Sequence, residues 1–469
     1  MIKSKGIIAV TVTTLAGLAV AYSFGLPLAA GFAAGFALLA ALLLRGGLDW
    51  RETLAEAWRG ALHTKEVVLI LLFVSLLIPS WSASGTIEAM VGLGLEWVHP
   101  ALFLTSAFLL SGAIAFLLGT STGTLSAVGI PVIGMALKLG VPPAMAAGAL
   151  VSGAFVGDRG SPFSSAFRLV ADSVGIRPRR LARAMLPTTA LGLLATLLFF
   201  LAADALGGWS GGDLPGGAAA AGAGAHPGAA AAADAANGLP RAAAPSGADA
   251  RPSGSGWLYL PPILLVGTML LRLGTRWAFT LAIASAVLIG SLLGGIPAAS
   301  WPSILWHGWV DPATGRLAKG MLHMIDLVAL IALAGAFNGL LERSGAIGPL
   351  VRKFFAAGES LAGSAARAGL FGLNLALVSC TQTLPIMMTG RHLRAVWAEK
   401  FGADRLGRVV ADTSLLLPAL VPWNMLAILC GTILGVPVLE YVPYAVYVWS
   451  IPLFTLLWSI PIRSRGPGG

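Results

Sequence analysis

The sequence predicts an all-α polytopic membrane protein built from two inverted repeats with broken or re-entrant helices, about 10–12 transmembrane spans in all. Three observations carry this expectation. Of 469 residues, 57% are apolar and only 11% are Asp, Glu, Lys or Arg, whereas a soluble chain would carry roughly a quarter charged residues. Apolar runs long enough to cross about 30 Å of hydrocarbon recur along the chain. Short patterns of the first part also return in the second at a fixed distance of 260 residues.

The apolar runs come in two sets. The first falls at 7–24, 26–44, 66–82, 101–118, 142–157 and 184–205. Lys3 and Lys5 precede its first member as they would a signal peptide. No small-residue cleavage site followed by a soluble domain appears, and a second apolar run begins at once, so 7–24 reads as a first span. The second set falls at 257–271, 277–296, 323–341, 363–378, 409–421 and 439–461. Shorter apolar pieces at 86–98, 125–137, 344–356, 385–398 and 424–436 follow several members.

Between the sets, 206–256 is dominated by Ala, Gly, Pro and Ser. Frequent Gly and Pro without apolar periodicity predict a disordered linker rather than a helix. The expected organisation is an N-terminal membrane half over 1–205, the linker over 206–256 and a C-terminal membrane half over 257–469. Ser84-Gly85 and Ser344-Gly345 lie 260 residues apart, as do Ile87 and Ile347. The same offset sets Thr120-Ser121 on Cys380-Thr381 and Ser161-Pro162 on Val421-Pro422. A constant offset over such a stretch is the mark of an internal repeat.

Charge gives the repeat its sense. The net charge of +10 comes from 30 basic and 20 acidic residues, and in a chain this apolar the excess follows the positive-inside rule rather than nucleic-acid binding. With the N-terminus inside, Arg45, Arg51, Arg59 and Lys65 are cytoplasmic, as are Arg177, Arg179, Arg180 and Arg183. The 134–143 loop, with Lys138 alone, then faces out, while its second-half counterpart holds Arg391, Arg394, Lys400, Arg405 and Arg408 and faces in. Arg463 and Arg465 also end inside. Equivalent loops on opposite sides make the repeat inverted, an arrangement typical of secondary transporters with a midplane site.

Three polar stretches interrupt the apolar pattern. GTSTGT, Gly119–Thr124, puts Thr120, Ser121, Thr122 and Thr124 where lipid-facing helix would be apolar. Irregular polar backbone at membrane depth is tolerated only where protein buries it or it lines a wet cavity; the alternative is a small-residue packing seam. Its repeat counterpart, SCTQT, contributes Thr381 and Gln382. GAFVGDRGSPFSS places Asp158 at the end of an apolar run beside Gly160, Ser161, Pro162 and Ser164. An acid at depth is expensive and usually functional. Its carboxylate suits a small cation, and a proton can compete for it; the structural alternative is a helix-end carboxylate paired with Arg159. ADTSLLLPALVPWN brings Asp412, Thr413, Ser414 and Asn424 beside further helix breaks, although Asp412 or Thr413 could be an N-cap.

Asn374, inside an apolar run, either glues helices or faces a cavity. Glu88, Asp326 and Glu342 read as structural span-end charges. Cys380 and Cys430 form no CxxC or Cys/His pattern, and the histidines, His226 included, form no spaced ligand set. No Walker motif, serine nucleophile elbow or HExxH helix appears, so neither ATP-driven transport nor familiar hydrolase chemistry is supported and no enzyme is expected.

On GTSTGT followed by Gly-Ile-Pro, AGALVSGAFVGDRGSP, Asn374 through Gly390-Arg391, and RVVADTSLLLPALVPWN followed by LGVPVLEYVPYA, the chain resembles the NhaC-type sodium/proton antiporter family of the broader ion-transporter superfamily. The likeness spans about 65–190 and 320–460. It implies a bacterial inner-membrane exchanger that moves a transport domain against a scaffold, with acids in these motifs carrying charge. Departures are plain. Where the family continues with a further Asp, two Thr and an Asn, Ser165, Ala166, Phe167 and Arg168 stand here; Thr122 replaces the Trp of GTSWGT; an acidic pair is reduced to Ala411-Asp412.

The expected activity is sodium/proton antiport, with Na+ held by Asp158, Thr120, Ser121 and Thr381 and with Asp412 as a second acid. Arg168 near the site opens a second expectation on the same fold, exchange of an organic acid or amino acid with ions. A third, from another class, is a membrane sensor or assembly protein that no longer transports. No resident cofactor is expected, only the carried Na+ and H+. The expected partners are the bilayer, a small cation with protons or a small carboxylate, and on occasion a second copy of the chain; nucleic acid is not among them. The expected location is the cell inner membrane, multi-pass, with both termini cytoplasmic.

Overall fold

A computed structural model describes residues 4–207, 255–310, 317–345 and 360–460. Most of the expected linker and most of the apolar piece at 344–356, together with Arg463 and Arg465, lie outside the described residues. The first half contains α1 (Ser4–Ser23), α2 (Leu28–Arg45), α3 (Trp50–His63), α4 (Lys65–Ser84), α5 (Thr86–Trp97) and α6 (Phe103–Leu118). It continues with α7 (Ser121–Thr124), a π-helical turn (Leu125–Gly129), α8 (Ile130–Lys138), α9 (Pro143–Gly160), α10 (Ser165–Val174) and α11 (Pro178–Gly207). The second half contains α12 (Leu260–Leu270), α13 (Thr275–Leu292), α14 (Trp301–His307), α15 (Ile325–Arg343), α16 (Leu361–Ser379) and α17 (Thr383–Lys400). Then come α18 (Ala403–Asp412), α19 (Met425–Leu434), α20 (Val438–Tyr441) and α21 (Val446–Ser459). A short antiparallel hairpin of β1 (Gly308–Val310) and β2 (Leu317–Lys319) precedes α15.

Among the described residues, seven helices are long and apolar enough to cross a bilayer, or up to nine if each of two bent pairs is one span. That is fewer than the expected 10–12, for identifiable reasons. The run at 7–24 and that at 257–271 form shorter apolar helices, over Ile8–Ala21 and Gly256–Leu270. The run at 142–157 forms α9, whose Ala, Gly and Ser residues make it a packing helix rather than a lipid-facing one. Nearly all of its side chains from Ala146 to Arg159 are buried. The run at 409–421 is no continuous helix: α18 stops at Asp412, and the following turns bend the chain by 56° into α19.

Helix starts carry the repeat at the predicted offset. Lys65 and Ile325, Pro143 and Ala403, Ser165 and Met425, and Pro178 and Val438 open equivalent elements, each pair 260 residues apart. Equivalent helices α11 and α21 pack antiparallel. At one end, the Arg180 guanidinium lies 2.7 Å from the Asp404 carboxylate, Leu181 packs at Gly407, and Arg408 Nη2 donates to Ser459 Oγ at 3.0 Å. Midway, Ile451 packs at Gly192. Toward the start of α21, Tyr444 packs on Gly148 near the beginning of α9. The start of α11 and the end of α21 therefore share one side, which is the geometry of an inverted repeat.

The helices that lead each half cross over. α2 and α3 pack on α15 of the other half, through an edge-to-face contact of Phe32 with Phe337 at 5.2 Å and through Gly60 set against Gly335 and Gly339. A Cβ on Gly60 would sit 2.3 Å from the Gly335 carbonyl oxygen, so only glycine lets these backbones approach, the small-residue route to close packing in lipid. Reciprocally, α13 and α14 pack on α4, with Phe73 stacked on Phe279 at 5.5 Å. The remaining helices, chiefly α6 to α11 and α16 to α21, enclose the polar breaks.

Candidate functional site

The first break is built from α6 downward. Gly119 ends the helix with φ +71°, in the left-handed region, while its N–H still reaches the Ala115 carbonyl at 2.7 Å. A Cβ there would lie 2.6 Å from the Phe163 carbonyl carbon. Glycine is thus required twice, for the turn and for the approach of the 160–164 segment. Thr120 is extended, and the chain re-enters a helix at Ser121; Thr120 Oγ1 accepts from the Gly123 N–H at 3.4 Å and sits 3.3 Å from Thr122 Oγ1. Thr124 Oγ1 donates to the Thr120 carbonyl at 2.8 Å, and Ser126 Oγ to that of Thr122 at 2.9 Å. The π-helical turn follows directly, a feature frequent at functional sites.

Asp158 closes this break. Its Oδ1 accepts from the Ser121 N–H at 3.1 Å and its Oδ2 from Ser121 Oγ at 2.6 Å. The carboxylate thus caps the restarted helix, whose N-terminal end favours negative charge. It is 7% exposed and makes no ion pair among the described residues. The turn after it is held by the other hydroxyls of the motif. Ser164 Oγ donates to the Asp158 carbonyl at 2.7 Å and accepts from Phe167 N–H, and Ser161 Oγ donates to the Phe116 carbonyl at 2.6 Å. Ser161 and Ser164 shape the site rather than face its carboxylate.

The repeat-equivalent break is filled with amides instead. Cys380 takes the left-handed conformation with φ +54°, and its carbonyl accepts from the Met425 N–H at 2.9 Å. Asn338 Nδ2 donates to the Ser379 carbonyl at 2.9 Å; Asn424 Nδ2 donates to the Ala376 carbonyl at 3.1 Å and the Thr381 carbonyl at 3.4 Å. Gln382 Nε2 donates to the Leu415 carbonyl at 2.8 Å. The freed carbonyls are thus satisfied by protein, as the bilayer interior demands. Among the described residues no hydrogen bond joins Thr381, Gln382 or Asn424 to Asp158.

Asp412 stands apart from the first break. It forms a fully buried ion pair with Arg159: the guanidinium Nε donates to Oδ1 at 2.9 Å, Nη2 donates to the same oxygen, and Thr455 Oγ1 donates to Oδ2. The other donors of Arg159 meet Thr189 Oγ1 at 2.6 Å, Tyr447 Oη at 3.2 Å and Thr188 Oγ1 at 2.8 Å. Arg159 therefore pairs with Asp412 and not with the adjacent Asp158. Thr413 and Ser414 turn to their own surroundings, Thr413 Oγ1 to the Val409 carbonyl at 2.6 Å and Ser414 Oγ to Thr389 Oγ1 at 3.3 Å.

Two other expected residues point elsewhere. Arg168 is exposed on α10 and donates from Nε to the Pro162 carbonyl at 3.1 Å; it does not enter the site. Phe167, Val170, Ala171 and Val174 form the buried stripe of that helix, and their spacing in the sequence already set Arg168 outside that stripe. Asn374 is exposed and returns its Nδ2 to the Leu370 carbonyl at 2.8 Å. The residues that sequence reasoning missed are Thr188, Thr189, Tyr447 and Thr455. Two adjacent hydroxyls inside the apolar run of α11 were the available signal.

Among the described residues no group of three or more His, Cys, Asp or Glu side chains could hold a metal ion. A cation at the first break would meet one carboxylate, with hydroxyls and backbone carbonyls as further oxygen ligands, a hard donor set suited to an alkali cation.

The family model described as Na+/H+ antiporter family matches residues 255–460. The chain is 26% identical over 431 residues to the Na(+)/H(+) antiporter NhaC of Bacillus subtilis, an alignment covering 90% of this chain and 89% of that protein. It is 25% identical over 423 residues to the malate-2H(+)/Na(+)-lactate antiporter of Bacillus subtilis, covering 86% and 82%. It is 26% identical over 406 residues to the arginine/ornithine antiporter ArcD of Halobacterium salinarum, covering 85% and 79%.

Proposed function

We propose, from the premise that this chain is a divergent member of the Na+/H+ antiporter family, that it is a secondary active transporter exchanging sodium ions for protons across the bacterial inner membrane. The observation that carries the reading is Asp158, a buried carboxylate without an ion pair among the described residues, held by Ser121 where α6 breaks and the chain restarts as α7. A buried charge of this kind needs a partner, and a mobile cation supplies one. Asp158 binds Na+ in one half of the cycle and H+ in the other. When Na+ enters, the Ser121 hydroxyl turns its lone pair toward the ion. The Thr120 and Thr122 hydroxyls, within reach of each other at 3.3 Å, complete the shell. Both ends of the pathway follow the inverted repeat, with the Arg177–Arg183 side cytoplasmic.

A panel of everted membrane vesicles tests this. Sodium should collapse a preset pH gradient, and the response should vanish in Asp158→Asn. Full retention of the response in Asp158→Asn would remove Asp158 from the mechanism.

A second cargo class, a small carboxylate or amino acid, is favoured by the names of two relatives of the same identity level, the malate/lactate and the arginine/ornithine antiporters. Arg168, which motivated it, lies exposed on α10, so on this reading another residue receives the cargo. Counterflow of labelled carboxylates and amino acids in proteoliposomes, with no sodium response in the vesicles, would establish this reading in place of the first.

A further inference from the structure

Resting on the sodium/proton reading, we infer that Arg159 is a built-in cation that withdraws Asp412 from exchange, leaving one exchanging carboxylate and making the antiport electroneutral, one Na+ for one H+.

The charge moved in each cycle is the number of protons carried one way minus the number of sodium ions carried the other. Fixed side-chain charges cancel, because the protein returns to its starting state. The protons that sodium displaces can come only from carboxylates that alternately bind the two ions. Three carboxylates are buried among the described residues: Asp158, Asp204 and Asp412. Asp204 is far from the breaks in role. Its two oxygens accept from the Leu104 and Thr105 N–H groups at 3.0 and 2.9 Å, capping the start of α6. Asp412 has zero exposure, and both its oxygens are taken, one by Arg159 and one by Thr455. A guanidinium stays protonated at any working pH, and every polar arm of Arg159 is engaged by Asp412, Thr188, Thr189 or Tyr447. The pair is sealed.

The neighbouring charges do not reopen it. Arg408, 4% exposed, adds a second guanidinium on the Asp412 side, tied to Ser459 Oγ at 3.0 Å. Tyr447 brings a hydroxyl that accepts from Arg159 at 3.2 Å. Of the buried carboxylates among the described residues, Asp158 alone therefore exchanges. On one side the Asp158 carboxylate takes up Na+ as its proton leaves. On the other, Na+ leaves and one proton returns to the same oxygen pair. One positive charge crosses in each direction, and none is left over.

The test uses the purified full chain in proteoliposomes with an internal pH dye, potassium and valinomycin fixing the membrane potential. The concentration ratio of sodium at which proton flux stops is read at several potentials. In the wild type this null point should equal the proton ratio and stay there at every potential. A null point that moves about tenfold for each 59 mV, the constant for one net charge, overturns the inference. Arg159→Met, which frees the Asp412 carboxylate, should make the null point move with potential. Arg159→Met/Asp412→Leu, which removes both charges, should hold it still. If the single variant does not fold, the wild-type null point decides alone. Absence of any sodium-coupled proton flux from the wild type would instead overturn the sodium/proton reading itself.

Discussion

Arg159 and Asp412, 253 residues apart in the chain, meet as an ion pair with no solvent exposure on either side chain. Arg159 ends α9 of the first repeat and Asp412 ends α18, the equivalent element of the second, so the pair rivets the repeats together beside the site. Removing one member leaves a buried charge without its partner. Replacing both with apolar groups does not.

Arg159→Met alone should therefore cost about 3–5 kcal/mol of stability, and Asp412→Leu alone a similar amount. The double replacement should recover most of the loss. Melting of the purified protein in detergent, followed by monodisperse elution on heating, reads this cycle. Losses that simply add in the double variant would mean the pair is not coupled.

Ser121→Ala removes the hydroxyl that reaches Asp158 Oδ2 at 2.6 Å while leaving the backbone bond. The half-saturation for sodium should rise about tenfold, corresponding to ~1.4 kcal/mol, and Ser121→Thr should restore much of it. Unchanged sodium dependence in Ser121→Ala would take the hydroxyl out of the ion's shell.

Gly119→Ala places a methyl group against the Phe163 backbone at a residue with φ +71°. We expect a loss of at least ~1–3 kcal/mol together with loss of exchange, since the displaced segment carries the turn after Asp158. A variant with wild-type melting and exchange would show that the close approach is dispensable.

Arg168→Gln should leave exchange within about twofold of wild type, because the side chain is exposed and, among the described residues, bonds only the Pro162 carbonyl. A large change in transport or in cargo would return Arg168 to the pathway.

Inversion can be read by labelling. Single cysteines at Arg180 and Asp404 should react from the cytoplasmic side, and those at Gly140 and Glu440 from the opposite side. Cys380 and Cys430 are buried and leave the background low. Labelling of Glu440→Cys and Arg180→Cys from one side would contradict the antiparallel packing of α11 and α21.

The break at Gly119–Thr124 and the buried acid Asp158 were legible because hydroxyls and a carboxylate amid apolar runs violate the rule that lipid imposes on each segment separately. The 260-residue offset was legible because it is a property of the chain alone, and the helix starts keep it. The pairing of Arg159 was not, because the nearest acid in sequence is Asp158 and the true partner is brought in by helix crossing. The direction of Arg168 lay between these cases. The stripe of Phe167, Val170, Ala171 and Val174 contained the answer, but proximity in sequence to Asp158 suggested otherwise. Among the described residues the count by length and composition is smaller than the expected one, because short apolar helices and the small-residue helix α9 fall below what a lipid-facing span shows.

The exchanged packing of the leading helices has a genetic corollary. α2 and α3 lie on α15 of the second half, and α13 and α14 lie on α4 of the first, so each half is clasped by the other through contacts that need no peptide bond between them. Two separate open reading frames, one ending after α11 and one beginning before α12, should yield polypeptides that find each other in the membrane and co-purify as a single particle.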